Sequence, residues 1–91
     1  MKLAWDEAKR RATLHERGLD FADAAELFDE ATTTSEDKRH DYGEQRFVSA
    51  GLVHGRLCVA VWTLRLGTRH IISMRKANER EQKRFKIKTE P

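Results

Sequence analysis

Arg65, Arg69 and Arg75 bracket a short alternating stretch that also holds His70, and the run "RKANEREQKRF" continues from it over 75–85. Arginine stays protonated and presents a planar fork of donors that matches phosphate oxygens, so arginines held together form a candidate phosphate site. Strict alternation through "RHIISMR" sets Arg69, Ile71, Ser73 and Arg75 on one strand face and His70, Ile72 and Met74 on the other. Thr63 and Arg65 share a face of the preceding run. A simple hairpin register therefore brings Arg65 and Arg69 together at its open end, with Arg75 farther along near the junction with a helix. Like charges so placed repel one another unless they are solvated or meet an anion. The residues alone leave open the plainer reading, solvated arginines at strand ends.

A basic helix follows. Asn78 and Glu81 have the spacing of a capping box, and Glu79 with Lys83 is a well-oriented i, i+4 pair. Lys76, Arg80, Arg84 and Lys88 nevertheless recur at every fourth residue, an unfavourable stack of like charge that an anion would relieve.

The elements that must position these side chains are readable upstream. Asp6 caps "EAKRRATLHER", and Gly18 supplies the left-handed stop. Asp20 begins a second helix, "FADAAELF", in which Phe21, Ala24, Ala25 and Phe28 form an apolar stripe. The threonines after residue 31 suggest a short edge strand at about 31–35, followed by a polar loop. "QRFVSAGLV" and "RLCVAVWTLR" flank a His54-Gly55 turn, and "LGT" at 66–68 turns the chain into the last strand. The expected fold is α+β: two N-terminal helices, a small antiparallel sheet of three to four strands and a C-terminal basic helix.

The chain has 91 residues, enough for one domain with a modest core, and we read 1–91 as a single unit. Its net charge of +3 conceals an acidic half, −5 over residues 1–45, and a basic half, +8 over residues 46–91. Such a field draws a polyanion or an acidic protein to the C-terminal half. The single cysteine, Cys58, lies in an apolar run and reads as a packed small hydrophobe. No signal-peptide core is visible, and no apolar run approaches the ~20 residues of a membrane span. The expectation is a soluble cytoplasmic protein without membrane contact. Histidines at 15, 40, 54 and 70 lack ligand spacing, and no phosphate-binding or dinucleotide glycine loop occurs, so neither metal nor cofactor is expected.

"LAWDEAKRRATLHERGLDFADAAELF", "GEQRFVSAGLVHGRLCVAVWTLR" and "HIISMRKANEREQKRF", taken in order, resemble the BrnT family of bacterial toxins. The resemblance spans nearly the whole chain and is most specific at "IISMRKA" and at Trp5, Asp6 and Lys9 with Gly18 and Phe21. It implies a fold similar to RelE-like ribonucleases and a toxin that cleaves RNA, free or on the ribosome, and so halts translation and growth. It also implies neutralisation by a cognate ribbon-helix-helix antitoxin, with promoter DNA bound only through that complex.

Carried onto this sequence, the family's cationic site falls on Arg65 and Arg75, with Glu44 and Arg46 of "GEQRF" as further polar matches. Three positions depart from the pattern: Arg17 stands where histidine is usual, Trp62 where tyrosine is usual, and His70 where arginine is usual. Trp62 removes a hydroxyl, and with it any phenolic acid or base at that position. His70 introduces a group that titrates near neutrality. Attack of a ribose 2′-OH on its phosphate needs a base, an acid for the 5′-oxygen and cations against the growing charge. Arg65 and Arg75 fit the last role. Glu44 is a candidate base and His70 a candidate acid or base, while Arg46, Arg69, Lys76, Arg80 and Arg84 are candidate RNA contacts. A non-catalytic nucleic-acid or antitoxin-binding module remains the alternative, distinguished by salt-sensitive association without cleavage.

Overall fold

The computed structural model describes residues 1–29, 32–39 and 41–89. Its first helix, α1 (Glu7–Arg17), forms where local chemistry dictates. The Asp6 side chain accepts from the Lys9 amide at 3.1 Å, and Gly18, at φ 69°, returns its amide to the Leu14 carbonyl. Arg10 then ties α1 to the next segment through two hydrogen bonds to Asp20, at 2.8 and 3.1 Å.

The expected second helix takes a different form. Asp20 caps a 3₁₀ turn, Phe21–Asp23, which runs into the four-residue α2 (Ala24–Leu27). Phe21, Ala24 and Leu27 are buried, whereas Ala25 is exposed. A spacing of three matches the tighter 3₁₀ winding at the start of this segment, and this replaces the expected stripe.

Among the described residues, five strands follow the order β1-β5-β4-β3-β2. They are β1 (Leu3–Trp5), β2 (Thr33–Asp37), β3 (Arg46–Val53), β4 (Arg56–Arg65) and β5 (Thr68–Lys76). Helix α3 (Glu79–Thr89) ends the described chain. The pairs β2/β3, β3/β4 and β4/β5 are antiparallel, but β1 lies parallel to β5 with Leu3 opposite Arg69. The RelE-like expectation of two N-terminal helices and a three- to four-stranded antiparallel sheet is thus corrected to a five-stranded mixed sheet. Only three residues make β1, too few to display a period, and their partner strand lies near the far end of the chain. The edge strand also starts later than expected, at Thr33. Ala31, His40 and the side chain of Lys88, all noted in the sequence, lie outside what the structure describes.

Both hairpins turn through residues of positive φ, His54-Gly55 (50° and 77°) and Leu66-Gly67 (52° and 75°), the twist that suits two-residue connections. A layer formed by α1, the 3₁₀ turn and α2 covers one side of the sheet over Val53, Cys58, Ala60, Trp62, Ile71 and Met74. Burial pushes the Cys58 thiol pKa up, consistent with packing rather than reactivity. The other side carries a smaller cluster of Leu57 and Val59, closed by Ala77 and Phe85 from the α3 region. At Gly51 the Leu27 carbonyl occupies the space a Cβ would need, so α2 approaches β3 only because that residue lacks a side chain.

Candidate functional site

A β-bulge decides which side chains meet. Trp62 pairs with Ile71 but Val61 pairs with Ser73, leaving Ile72 as an extra residue on β5. The extra residue reverses the alternation. Arg69 and Ile71 face the α1 side with Trp62, while His70, Ser73 and Arg75 face the α3 side with Thr63, Val61 and Val59. Arg65 also lies on the α3 side, opposite Thr68, and Arg46 lies beside Thr63. The expected meeting of Arg65 with Arg69 is therefore corrected, because these two residues project from opposite faces.

The α3 side holds its cations in carboxylate clasps. Arg65 donates from Nε and Nη2 to the two oxygens of Glu44 at 3.2 and 3.0 Å. Thr63 Oγ1 donates to the Gln45 carbonyl at 2.6 Å, which pins the segment carrying Glu44 against β4. Arg46 Nε lies 3.7 Å from Glu44, inside ion-pair range but too far for a hydrogen bond, and its guanidinium sits 3.9 Å over the Tyr42 ring. The Arg65 hydrogen bond is the main cause holding the Glu44 carboxyl below its usual pKa. Burial, reinforced by the Arg65 charge, lowers the His70 pKa, leaving the imidazole neutral at pH 7.

Near the far end of β5, Arg75 donates through both terminal nitrogens to Glu81 at 2.7 and 2.8 Å. Glu81 also accepts from the Asn78 amide at 2.9 Å, while Asn78 Oδ1 accepts from the Glu81 amide at 2.8 Å. The capping box is therefore complete, and one carboxylate both starts α3 and holds Arg75. Chiefly through Arg75, the Glu81 pKa falls to about 2. Among the described residues, no group of three or more metal-ligating side chains is present.

The sequence model of the ribonuclease toxin BrnT of type II toxin-antitoxin systems matches residues 5–81. The chain belongs to the BrnT family. No curated protein sequence matches it. Membership makes it the ribonuclease-toxin member of a type II pair, with RNA as substrate and an antitoxin as partner.

Several features of this BrnT-family toxin escaped the sequence. Buried Asp37 accepts from the Arg39 amide, Nε and Nη2 at 3.2, 2.9 and 3.0 Å and from the Tyr42 hydroxyl at 3.2 Å. Arg39 is the leading cause of a strongly lowered Asp37 pKa, and its charge reaches Arg75. This unit adds a cation and the chain's only tyrosine to the α3 side. Its one available signal was the short D-x-R spacing, which carries no information without the β2/β3 register. Trp62 is buried on the opposite side and donates to Ser49 Oγ at 2.8 Å. Lys76, opposite Cys58, also points to the α1 side, whereas Arg80 and Arg84 are exposed on α3. Arg84 lines a groove with Glu81 and Phe85 along β2. No described helix is long and apolar enough to cross a membrane.

Proposed function

We propose that this BrnT-family toxin is a metal-independent endoribonuclease of the cytoplasm that cleaves RNA, inhibits translation and is neutralised by a ribbon-helix-helix antitoxin. The observation that carries this reading is the placement of half-buried His70 on the same side of the sheet as exposed Arg65 and Arg75, brought about by the Ile72 bulge. Arg65 and Arg75 counter charge on the phosphate as the 2′-oxygen attacks in line. A phosphate displaces the carboxylates of Glu44 and Glu81 from them. Both carboxylates already occupy the place of an anion against these arginines.

His70 takes the 2′-OH proton because its imidazole is neutral at pH 7, with one ring nitrogen free to accept, and the departing 5′-oxygen takes its proton from solvent. Glu44 suits a different role from that of base. A carboxylate held by Arg65 with a lowered pKa accepts protons poorly, so it orients Arg65 until substrate arrives. Arg46, Arg80 and Arg84 grip the flanking RNA, and Lys76 extends the charge at the end of β5.

Induced expression with mapping of RNA 5′-ends tests the activity. Defined new ends support the nuclease, and growth arrest with intact RNA overturns it. The proton acceptor has its own signature. Cleavage by the wild type is expected to be flat with pH around neutrality and to fall as pH drops through a pKa below the usual 6.5 of histidine. His70→Gln should lower the rate by about 100- to 10,000-fold and abolish that acid limb. A variant that kept both the rate and the limb would remove His70 from the mechanism.

A further inference from the structure

Among the described residues, Arg69 is a cation without a counter-ion. Its guanidinium lies 3.7 Å from the Phe28 ring and 4.4 Å from the Trp62 ring, on the α1 side of the sheet. Its Nε is buried without a hydrogen-bond partner, and no carboxylate among the described residues forms an ion pair with it. Burial accordingly lowers its pKa. A desolvated charge is costly unless something pairs with it.

The surroundings of Arg69 are apolar and uncovered. Leu64, its partner across β4/β5, is half exposed, and Leu66 at the hairpin tip is fully exposed. Leu66 also adopts φ 52°, a conformation unfavourable for leucine, while making no use of its side chain within this chain. Phe47, stacked on Trp62 at 4.7 Å, continues the patch. Isolated surface leucines are ordinary. Two of them beside an unpaired arginine laid across aromatic rings form a complementary surface with one missing charge.

We infer that this end of the β4/β5 hairpin is where the antitoxin docks, with an antitoxin carboxylate pairing with Arg69 and apolar antitoxin side chains covering Leu64 and Leu66. The inference rests on family membership, which supplies an antitoxin, and not on the catalytic reading above. A second copy of the chain fits poorly, because a two-fold contact through this patch sets Arg69 near its own symmetry mate. RNA fits poorly as well, since leucines offer nothing to phosphate and the patch faces away from Arg75.

The test measures affinity between the purified cognate antitoxin and full-length toxin, as wild type, Arg69→Gln and Leu66→Asp. Leu66→Asp keeps the fold out of question, because the residue is fully exposed and aspartate tolerates positive φ better than leucine. Both variants should bind about 10-fold or more weakly, with the Arg69→Gln loss approaching about 100-fold, as expected when a charge-assisted hydrogen bond is removed. Leu66→Asp should cleave RNA like the wild type. Affinities within about twofold of wild type for both variants would overturn the inference. So would a loss of cleavage with antitoxin binding intact, which assigns the patch to RNA, or a change in the oligomeric state of the isolated toxin, which assigns it to a second copy. If the wild type failed to cleave RNA while both variants lost antitoxin affinity, the catalytic reading would fall and the docking site would stand.

Discussion

Arg75→Ala is expected to reduce RNA cleavage about 100- to 1000-fold, the usual consequence of removing one cation that stabilises transition-state charge, about 2.7–4 kcal/mol. The fold should survive. The side chains of Arg75 and Glu81 retain 45% and 25% of their exposure, and an ion pair so placed contributes at most about 1 kcal/mol. The Asn78 hydrogen bonds of the capping box remain when Arg75 is gone, so α3 keeps its start. The catalytic effect is therefore the larger by a clear margin. Cleavage assays beside thermal unfolding separate the two, and undiminished toxicity at equal expression would exclude Arg75 from the site. Arg65→Ala should behave similarly while also freeing Glu44, whose carboxyl pKa would then rise toward the ordinary value.

Trp62→Ala is expected to cost about 3–5 kcal/mol of stability, the range for truncating a buried large aromatic. Trp62 is 6% exposed, meets Phe28 edge-on at 5.7 Å and stacks on Phe47 at 4.7 Å. Its indole N–H bond to Ser49 is lost, but Ser49 keeps its Thr34 partner at 2.7 Å, so the main cost is the cavity rather than an orphaned hydroxyl. A domain of this size holds roughly 5–14 kcal/mol in total. The substitution therefore removes a large share of it. Urea unfolding should show a much lower midpoint with an unchanged slope. A loss below about 1 kcal/mol would mean that the aromatic cluster does not anchor the α1 side of the sheet.

Local signals made much of this molecule readable. Asp6 and Gly18 bound α1, the His54-Gly55 turn joins β3 to β4, and Asn78 with Glu81 opens α3, each through contacts within a few residues. Where long-range pairing decides, the sequence was silent or misleading. "LAW" becomes a strand only because β5 offers it a parallel edge, and this converts an expected antiparallel sheet into a mixed one. The Ile72 bulge had the largest consequence. Strict alternation joined Arg69 to Arg75, whereas the bulge sends Arg69 to the aromatic side and collects His70, Ser73 and Arg75 on the other. Asp37, Arg39 and Tyr42 escaped notice because their meeting depends on how the loop after β2 folds back on its own strand. Resemblance to the family named Arg65 and Arg75 individually. The carboxylates that hold them, Glu44 and Glu81, acquired that role only once the register was known.

In the proposed mechanism, arginines and a histidine drive attack by the ribose 2′-OH without a metal. Purified toxin incubated with RNA in excess EDTA, with the product ends identified, tests it most directly. Sustained cleavage leaving 2′,3′-cyclic phosphate and 5′-hydroxyl ends is expected, lost in Arg75→Ala. Cleavage that stops in EDTA and returns with a divalent cation, or that leaves 3′-hydroxyl ends, would contradict it.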